Sequence, residues 1–225
     1  MMKILLVQFF ILFSVLLSAQ KVPVWVFSIG FESQSLGIEP LDSREPDKAS
    51  VLSGRPSPGI SVGMAYKHLI WRSVYLQPGI SFSSTRNKVS FRQDGEAVYG
   101  FHELEAPLHL AIYNSTSTNA RIRAKVLIGG RFGWNFASNP DDRLSFYNNR
   151  FGLDLGLGME IQAGRLLLSP EVLYSHGMNN LHNFTGKKYD YLVGRVVRDK
   201  VSFRLAISFN RKKNEHNSPI SQEKW

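Results

Sequence analysis

The 225-residue sequence contains no cysteine, which excludes disulfide bonds, a thiolate nucleophile and zinc sites built on cysteine. Acidic residues are also scarce, because 18 Asp and Glu oppose 27 Lys and Arg and leave a net charge of +9. The six histidines lack the spacing of metal ligands, and no ordered motif selects a catalytic set from them. We therefore expect a non-enzymatic protein with no catalytic residues, no metal site, no cofactor and no identifiable small-molecule substrate.

Long apolar runs are absent except at the start of the chain. Residues 4–17 are almost wholly apolar, follow Lys3 and are followed by Ser18-Ala19-Gln20. This pattern predicts a signal peptide over residues 1–19, because the run is shorter than the roughly 20 residues of a spanning helix. An uncleaved anchor helix is the alternative. Export argues against nucleic acid as a partner, and the positive charge favours anionic lipid headgroups, such as those of outer-membrane lipid and lipopolysaccharide, or acidic partners. The charge could equally serve only to hydrate the loops and lumen.

A two-residue period is the clearest pattern that is present. In residues 151–162, F-G-L-D-L-G-L-G-M-E-I-Q, large apolar residues occupy the odd positions, and Gly, Asp, Glu or Gln occupy the even ones. This alternation predicts a strand with two different faces. Small and charged side chains suit the lumen of a narrow closed barrel whose apolar face meets lipid. A soluble barrel with the apolar face inward is the alternative.

Seven further segments are predicted to be strands, and the connections between the eight alternate in length. The other strands are predicted at residues 25–32, 58–67, 73–83, 104–112, 120–136, 165–175 and 201–210. Long connections at 33–55, 84–98, 138–149 and 176–199 alternate with short ones at 68–72, 114–119 and 163–164. This arrangement predicts an all-β fold, an eight-stranded antiparallel transmembrane β-barrel with long extracellular loops and short periplasmic turns. The expected organisation is a signal peptide at 1–19, a barrel domain at 20–210 and a basic periplasmic tail at 211–225, with both termini periplasmic.

The charged residues on the polar faces have opposite signs on different strands. Since an eight-stranded barrel is filled by its own side chains, a pore is not expected. We predict luminal ion pairs between basic and acidic residues, because a buried charge needs a partner. A luminal ligand or proton site is the alternative. The residues are Arg121, Arg123, Lys125, Arg131, Glu103, Glu105, Asp154, Glu160 and Glu171.

Aromatic side chains lie near several predicted strand ends, as the girdles at membrane interfaces require. The alternative is that they are ordinary strand aromatics. The candidates are Trp71, Tyr75, Tyr113, Trp134 and Tyr174.

Two long connections are predicted interaction surfaces, because function on a rigid barrel usually lies in its loops. One is the charged segment 42–48, and the other is 179–198. Solvated loops without a partner are the alternative. The second segment carries Phe184, Lys187, Lys188, Tyr189, Tyr191 and Arg195.

A lipid hydrolase or acyltransferase would need a serine and a histidine that meet on the outer face. His102, His109, His176 and His182 are the candidate histidines. Ser175 and His176 are the best pair by sequence, but neighbouring strand residues point to opposite faces, which argues against their contact.

Several segments resemble the PorT family of Bacteroidetes outer-membrane barrels. Residues 168–180, L-S-P-E-V-L-Y-S-H-G-M-N-N, are similar to the family's S-P-E stretch followed by aromatic-S-x-G-hydrophobic-N-N. Residues 103–110 resemble its E-x-P-L strand, and 128–131 resemble its G-G strand. The resemblance implies an accessory component of type IX secretion, and of gliding motility in some species, that acts through contacts with other secretion-system proteins. The alternatives are a generic surface barrel that binds an external ligand through its loops and a lipid-modifying enzyme.

Overall fold

The computed structural model describes residues 24–41, 51–91, 95–115, 120–136 and 143–209. These residues form nine β-strands and one short 3-10 helix at Asp190–Leu192. The strands are β1 Val24–Pro40, β2 Val51–Arg55, β3 Ser57–Trp71, β4 Val74–Phe91, β5 Gly95–Tyr113, β6 Ile122–Asn135, β7 Asn149–Ala163, β8 Leu166–Gly177 and β9 Val193–Phe209.

The strands close into a ring in which every neighbouring pair is antiparallel. Each strand from β3 to β9 pairs with the next one along the chain, and β1 closes the ring by pairing with both β3 and β9. Strand β2 is separated from β3 only by Pro56 and pairs with β4, so the two together form one wall strand. The predicted eight-stranded antiparallel barrel is therefore confirmed.

The glycines of β7 show how narrow this barrel is. Odd-numbered apolar residues such as Leu155 face outward and are exposed, whereas Gly152 and Gly156 face the lumen. A Cβ atom on Gly156 would lie 2.9 Å from the Leu173 Cγ and 2.9 Å from the Val172 carbonyl oxygen. Luminal glycine is therefore required here because the directly paired Leu173 of the neighbouring strand β8 leaves no room for a larger side chain in this narrow barrel.

Proline accounts for two interruptions of the ladder. The register of β4 with β5 is interrupted opposite Pro107, and that of β7 with β8 is interrupted opposite Pro170, because proline has no N–H to donate. Next to the second gap, the Ser169 hydroxyl donates to the Met159 carbonyl at 2.8 Å. A side chain thus satisfies an acceptor beside the broken ladder.

The predicted short connections are confirmed as short, the predicted long connection at 84–98 is wrong, and those at 33–55 and 176–199 are shorter than predicted because β1 continues to Pro40, β2 covers 51–55 and β9 begins at Val193. Residues 72–73, 114–121 and 164–165 join strands at the short-turn end, with Gly164 at φ +63. Residues 84–91 and 95–98, however, are paired strand rather than loop, so β4 and β5 continue far past the predicted ends. The polar sequence of 84–88 had suggested a loop because Ser84, Arg86 and Lys88 face outward beyond the apolar band, while Thr85 and Asn87 are polar residues on the luminal face.

The polarity of both faces inverts at one level of the wall. On the luminal face of β5, Glu103 and Glu105 give way to Phe101 and Tyr99 as the strand is followed towards Gly95. On the outer face, Leu104 gives way to His102 at the same level. The apolar band therefore ends near this level, and the strands continue beyond it as a water-exposed collar with an apolar interior.

Three predicted segments lie outside the described residues. They are the signal peptide at 1–19, the charged loop at 42–48 and the tail at 211–225. The described residues include no helix long and apolar enough to cross a membrane.

Candidate functional site at the capped end of the barrel

The predicted luminal ion pairs are present along the barrel axis. Arg131 binds two acids, with Nη1 at 2.8 Å from Glu105 and Nε at 2.8 Å from Asp154. Lys200 approaches Glu105 at 2.5 Å and Glu32 at 3.1 Å. Both Glu105 and Lys200 are fully enclosed, so each compensates the desolvation of the other.

A second layer lies nearer the short turns. Glu160 accepts from Lys67 at 2.7 Å and is also paired with Arg123. Tyr113 donates its hydroxyl to Glu160 at 3.1 Å, and its ring lies 4.3 Å from the Lys67 Nζ. Glu171, one layer higher, pairs with Lys125 and Arg204 at 2.5 Å each. The lumen is thus filled by charge-paired side chains at several levels.

Two predictions about individual residues are wrong. Arg121 precedes β6 and is exposed, so it does not join the luminal pairs. Tyr113 and Tyr75 are not girdle residues, because they share the luminal face of their strands and pack together with ring centroids 5.2 Å apart. Trp71, Trp134 and Tyr174 do face outward.

Sequence reasoning missed several luminal charges. These are Glu32, Lys67, Arg150, Arg198, Lys200 and Arg204. Arg198 fell in the predicted loop 176–199 and Lys200 just before the predicted strand 201–210, yet both continue the even-numbered face of β9 without a break. The two-residue period was therefore the available signal.

The described lumen leaves little free space. A cavity beside Gln77, His109 and Arg204 has a volume of about 30 Å³, enough for about one or two water molecules. A larger concavity of about 660 Å³ lies on the lipid-facing wall among residues such as Phe31, Leu157 and Phe203. Neither cavity is a pore through the barrel.

Two of the connections at the long-loop end, residues 143–148 and 178–192, fold over the lumen. We call these residues the cap. Phe146 forms a bridge with His182, and the Tyr147 N–H donates to the Leu181 carbonyl at 2.7 Å, so the two connections pair with each other. Their buried side chains join the apolar collar of the strands in one cluster. Its members are Leu36, Val89, Phe91, Ala97, Tyr99, Phe101, Leu144, Phe146, Leu181, Tyr189, Val193 and Val196.

Two consecutive asparagines fasten the cap to both flanking strands. The Asn179 Oδ1 accepts from the Phe151 N–H at 2.8 Å, and its Nδ2 donates to the Asn149 carbonyl at 2.9 Å, which ties it to β7. The Asn180 Oδ1 accepts from the Val196 N–H at 2.9 Å, which ties it to β9. These two consecutive asparagines thus have a structural role.

Asp190 organises the turn of the cap. Its Oδ2 accepts from the N–H of Thr185 at 2.8 Å and of Lys187 at 3.0 Å, and its Oδ1 lies 3.2 Å from the His182 Nε2. Burial alone would raise the pKa of this carboxyl group, but these donors outweigh burial and hold the pKa below its usual range. Asp190 is therefore charged at neutral pH and keeps the turn closed.

The outer surface of the cap presents large side chains to water. Phe184 is 68% exposed and Tyr191 is 61% exposed, whereas Tyr189 is buried in the apolar cluster. Lys188 and Arg195 are also exposed. Of the predicted interaction residues, these four are at the surface, while Lys187 donates to the Leu144 carbonyl at 3.3 Å.

The structure brings together one serine and histidine on the outer wall. The Ser84 Oγ lies 3.0 Å from the His102 Nδ1 across β4 and β5. His176 instead pairs with Asp199 at 2.8 Å, and Ser175 faces the lumen, so the expected separation of Ser175 and His176 is confirmed.

The segment G-I-S-V-G at residues 59–63 matches the letters of a nucleophile elbow. It lies in the middle of β3, where Ser61 is paired with Gly30 of β1 and Ser83 of β4. An elbow requires a sharp turn from a strand into a helix, so this match carries no catalytic geometry. Among the described residues, no group of three His, Asp or Glu side chains is arranged to hold a metal ion.

A closed antiparallel ring with an apolar outer face and a charged lumen is the architecture of an outer-membrane β-barrel. The chain belongs to the family described as outer membrane protein beta-barrel domain, whose model matches residues 23–183.

Solved barrels share the fold at low sequence identity. The outer membrane protein OprG from Pseudomonas aeruginosa has a TM-score of 0.51 and 11% identity, covering 84% of this chain and 96% of its own. The outer membrane protein AlkL, determined in lipid bilayers, has a TM-score of 0.50 and 13% identity, covering 87% and 96%. The Neisserial surface protein A has a TM-score of 0.46 and 10% identity, covering 83% and 99%. The comparison with curated proteins gave no match.

Proposed function

We propose that this protein is a non-enzymatic outer-membrane barrel that does not conduct solutes and acts through protein contacts at its cap. The observation that carries the proposal is the filled lumen, in which paired charges such as Arg131 and Glu105 lie beneath the apolar cluster of the cap. Because paired side chains fill the lumen formed by the described residues, the exposed cap surface is the part of the molecule best placed for recognition.

Within that class, the proposed role is accessory to type IX protein secretion. The support is the resemblance of residues 168–180 to the PorT family, together with the role of Asn179 and Asn180 in that segment. These two side chains hold the cap in one conformation relative to β7 and β9. A fixed cap that presents Phe184 and Tyr191 is suited to docking on another protein, because preorganised aromatic side chains lose little entropy on binding.

The test is the secreted proteome of a strain that lacks the gene, scored for cargo with the type IX C-terminal signal. Loss of this cargo from medium and surface, with restoration by the wild-type gene, would establish the role. A Phe184→Ala, Tyr191→Ala double variant should fail to restore secretion, while Val98→Ala, an exposed apolar residue on the collar of β5, should restore it. Normal export from the deletion strain would reject the secretion role.

A surface barrel that binds an external ligand is the second candidate. It is supported by the same exposed Phe184 and Tyr191 with the basic Lys188 and Arg195 beside them in sequence. In this case secretion is normal in the deletion strain, and the double variant loses binding of the intact cells to a host or environmental surface.

A lipid-modifying enzyme is supported only by the contact between Ser84 and His102. Among the described residues no carboxylate orients the His102 ring, since Glu103 and Glu105 face the lumen. The N–H groups beside Ser84 belong to paired strands and do not form an oxyanion hole. If Ser84→Ala abolished a lipid hydrolase or acyltransferase activity of the purified protein, this candidate would replace the first.

A further inference from the structure

The outer wall of β4 and β5 carries a polar group of side chains where the apolar band ends. We call Ser84, Arg86, Lys88, Gly100 and His102 the rim cluster. Three successive cross-strand pairs of β4 and β5 place these residues on one outward face. The pairs are Ser84 with His102, Arg86 with Gly100 and Lys88 with Val98. The next cross-strand pair on this face towards the short turns is Phe82 with Leu104, and both side chains are exposed and apolar.

This cluster lies at the height expected for lipid headgroups. From Val74 at the short turn to Ser84, about ten residues at roughly 3.3 Å each on a strand tilted by about 40° rise roughly 25 Å. That rise equals the height of the apolar band of an outer-membrane barrel, about 25 Å. The rim cluster is therefore at the hydrocarbon boundary on the long-loop side, and Phe82 and Leu104 lie just inside it.

Arg86 and Lys88 differ from the cations of the lumen. The luminal cations Lys125, Arg131 and Lys200 each pair with a carboxylate. Arg86 and Lys88 are exposed, and no carboxylate pairs with either of them in the part of the chain that the structure describes. Two adjacent cations of the same sign repel each other, so their placement favours an anion between them.

Gly100 leaves an open space among these side chains, which we call the depression. A Cβ atom placed there would meet only the His102 Nε2, at 3.7 Å, and Arg86 stands directly across the ladder. The His102 Nδ1 is already 3.0 Å from the Ser84 Oγ. In the tautomer in which Ser84 donates to Nδ1, the hydrogen is on Nε2, which then donates towards the depression. Arginine, lysine and imidazole donors around a small depression suit the oxygens of a phosphate group.

We propose that the rim cluster binds the phosphate group of an outer-leaflet glycolipid, with Gly100 as the floor of the site and the acyl chains lying along Phe82 and Leu104. A lipid phosphate fits better than free phosphate because the apolar wall continues directly from the site. The proposal concerns the wall rather than the cap, so it does not depend on the secretion role.

The test uses the full-length protein in bilayer nanodiscs that contain a phosphorylated glycolipid, with retained lipid counted by native mass spectrometry. Arg86→Gln with Lys88→Gln should lower retention about tenfold, since two charge-assisted contacts are lost. Gly100→Leu should lower it similarly by filling the depression, without changing any charge. The glycolipid without its phosphate should be retained no better by wild type than by the variants.

Two matched controls separate the site from general effects. Arg195→Gln removes an exposed cation from β9 on the opposite side of the barrel, and Gly130→Leu adds the same side chain on the lipid-facing side of β6, where a Cβ atom has its nearest contact at 3.5 Å. Both should retain the glycolipid as wild type does. Equal loss in Arg195→Gln, full retention in Gly100→Leu, or displacement of the glycolipid by millimolar inorganic phosphate would each overturn the proposal.

Discussion

At the scale of single residues, the direction of each side chain decides what the residue can be. In β7, neighbouring residues such as Leu155 and Gly156 meet entirely different surroundings, because one faces lipid and the other faces the crowded lumen. The same separation places Ser175 against Arg150 inside the barrel and His176 against Asp199 outside it. Substitutions at adjacent positions should therefore destabilise the barrel for different physical reasons.

On the lipid-facing side, Leu155→Arg should reduce the free energy of unfolding by about 2 to 4 kcal/mol, because a charge near the bilayer midplane loses its hydration. The matched control is Asn149→Arg, on the same face of β7 but beyond the apolar band, which should cost about 0 to 1 kcal/mol. Denaturant titration of the protein folded into lipid vesicles measures both. An unchanged unfolding midpoint for Leu155→Arg would contradict the assigned facing of β7.

On the luminal side, Gly156→Val should reduce the free energy of unfolding by about 1 to 3 kcal/mol through overpacking against Leu173. Gly130→Val is the control, because a Cβ atom at Gly130 meets its nearest neighbour, the Gly152 carbonyl oxygen, at 3.5 Å. The same vesicle titration compares the two. Equal stability of both variants would show that the lumen at Gly156 is wider than described.

At the scale of the elements, the two-residue alternation in eight segments, together with the alternating lengths of the connections, predicted eight strands, and the pattern of 151–162 predicted the facing of β7. The collar was missed because polarity inverts above the apolar band, so that Val89 and Phe101 point inward where Asn87 and Glu103 do so below. When a strand is predicted from apolar residues on its outer face, its predicted end therefore falls at that boundary. The Ser84 and His102 contact was also missed, because it depends on the register of β4 with β5, which the sequence does not specify.

The cap is the element whose stability should depend on acid. The pKa of Asp190 is lowered in the folded cap, so its stabilisation is fully present above the unfolded value of about 4 and is lost as the pH falls below it. Asp190→Asn should loosen the cap already at pH 7 by about 1 to 3 kcal/mol, because the charged acceptor of the Thr185 and Lys187 N–H groups is removed.

Hydrogen exchange of residues 178–192, corrected for intrinsic rates, measures both effects. In the wild type, exchange should rise as the pH falls below about 4, whereas Asp190→Asn should exchange faster at every pH and show a smaller rise. Asp199→Asn, which alters a more exposed carboxylate outside the cap, is the control and should follow the wild type. A pH profile of Asp190→Asn identical to that of the wild type would contradict the role of this carboxylate.

At the scale of the whole molecule, the lumen contains two layers of side chains with different chemistry, which we call the two seals. Below the hydrocarbon boundary the described lumen is filled by ion pairs such as those of Glu160 and Glu105, and above it by the apolar cluster that the cap completes. The two seals are stacked along one axis, and we expect each to close the barrel without the other. Full-length protein in planar bilayers should therefore show no stepwise conductance.

Independent seals would predict the behaviour of a barrel that lacks most of the longer segment of its cap. Replacing residues 181–191 with a short Gly-Ser linker should expose Phe101 and Val196 to water and lower stability, yet conductance should remain absent because the paired charges beneath are untouched. Adding Arg131→Ala to this variant removes a cation shared by Glu105 and Asp154 and opens space in the charged layer. We expect channels only in the combined variant. Steady channels in the wild type would show that the ion pairs do not close the lumen, and channels in the linker variant alone would show that the cap is the only seal.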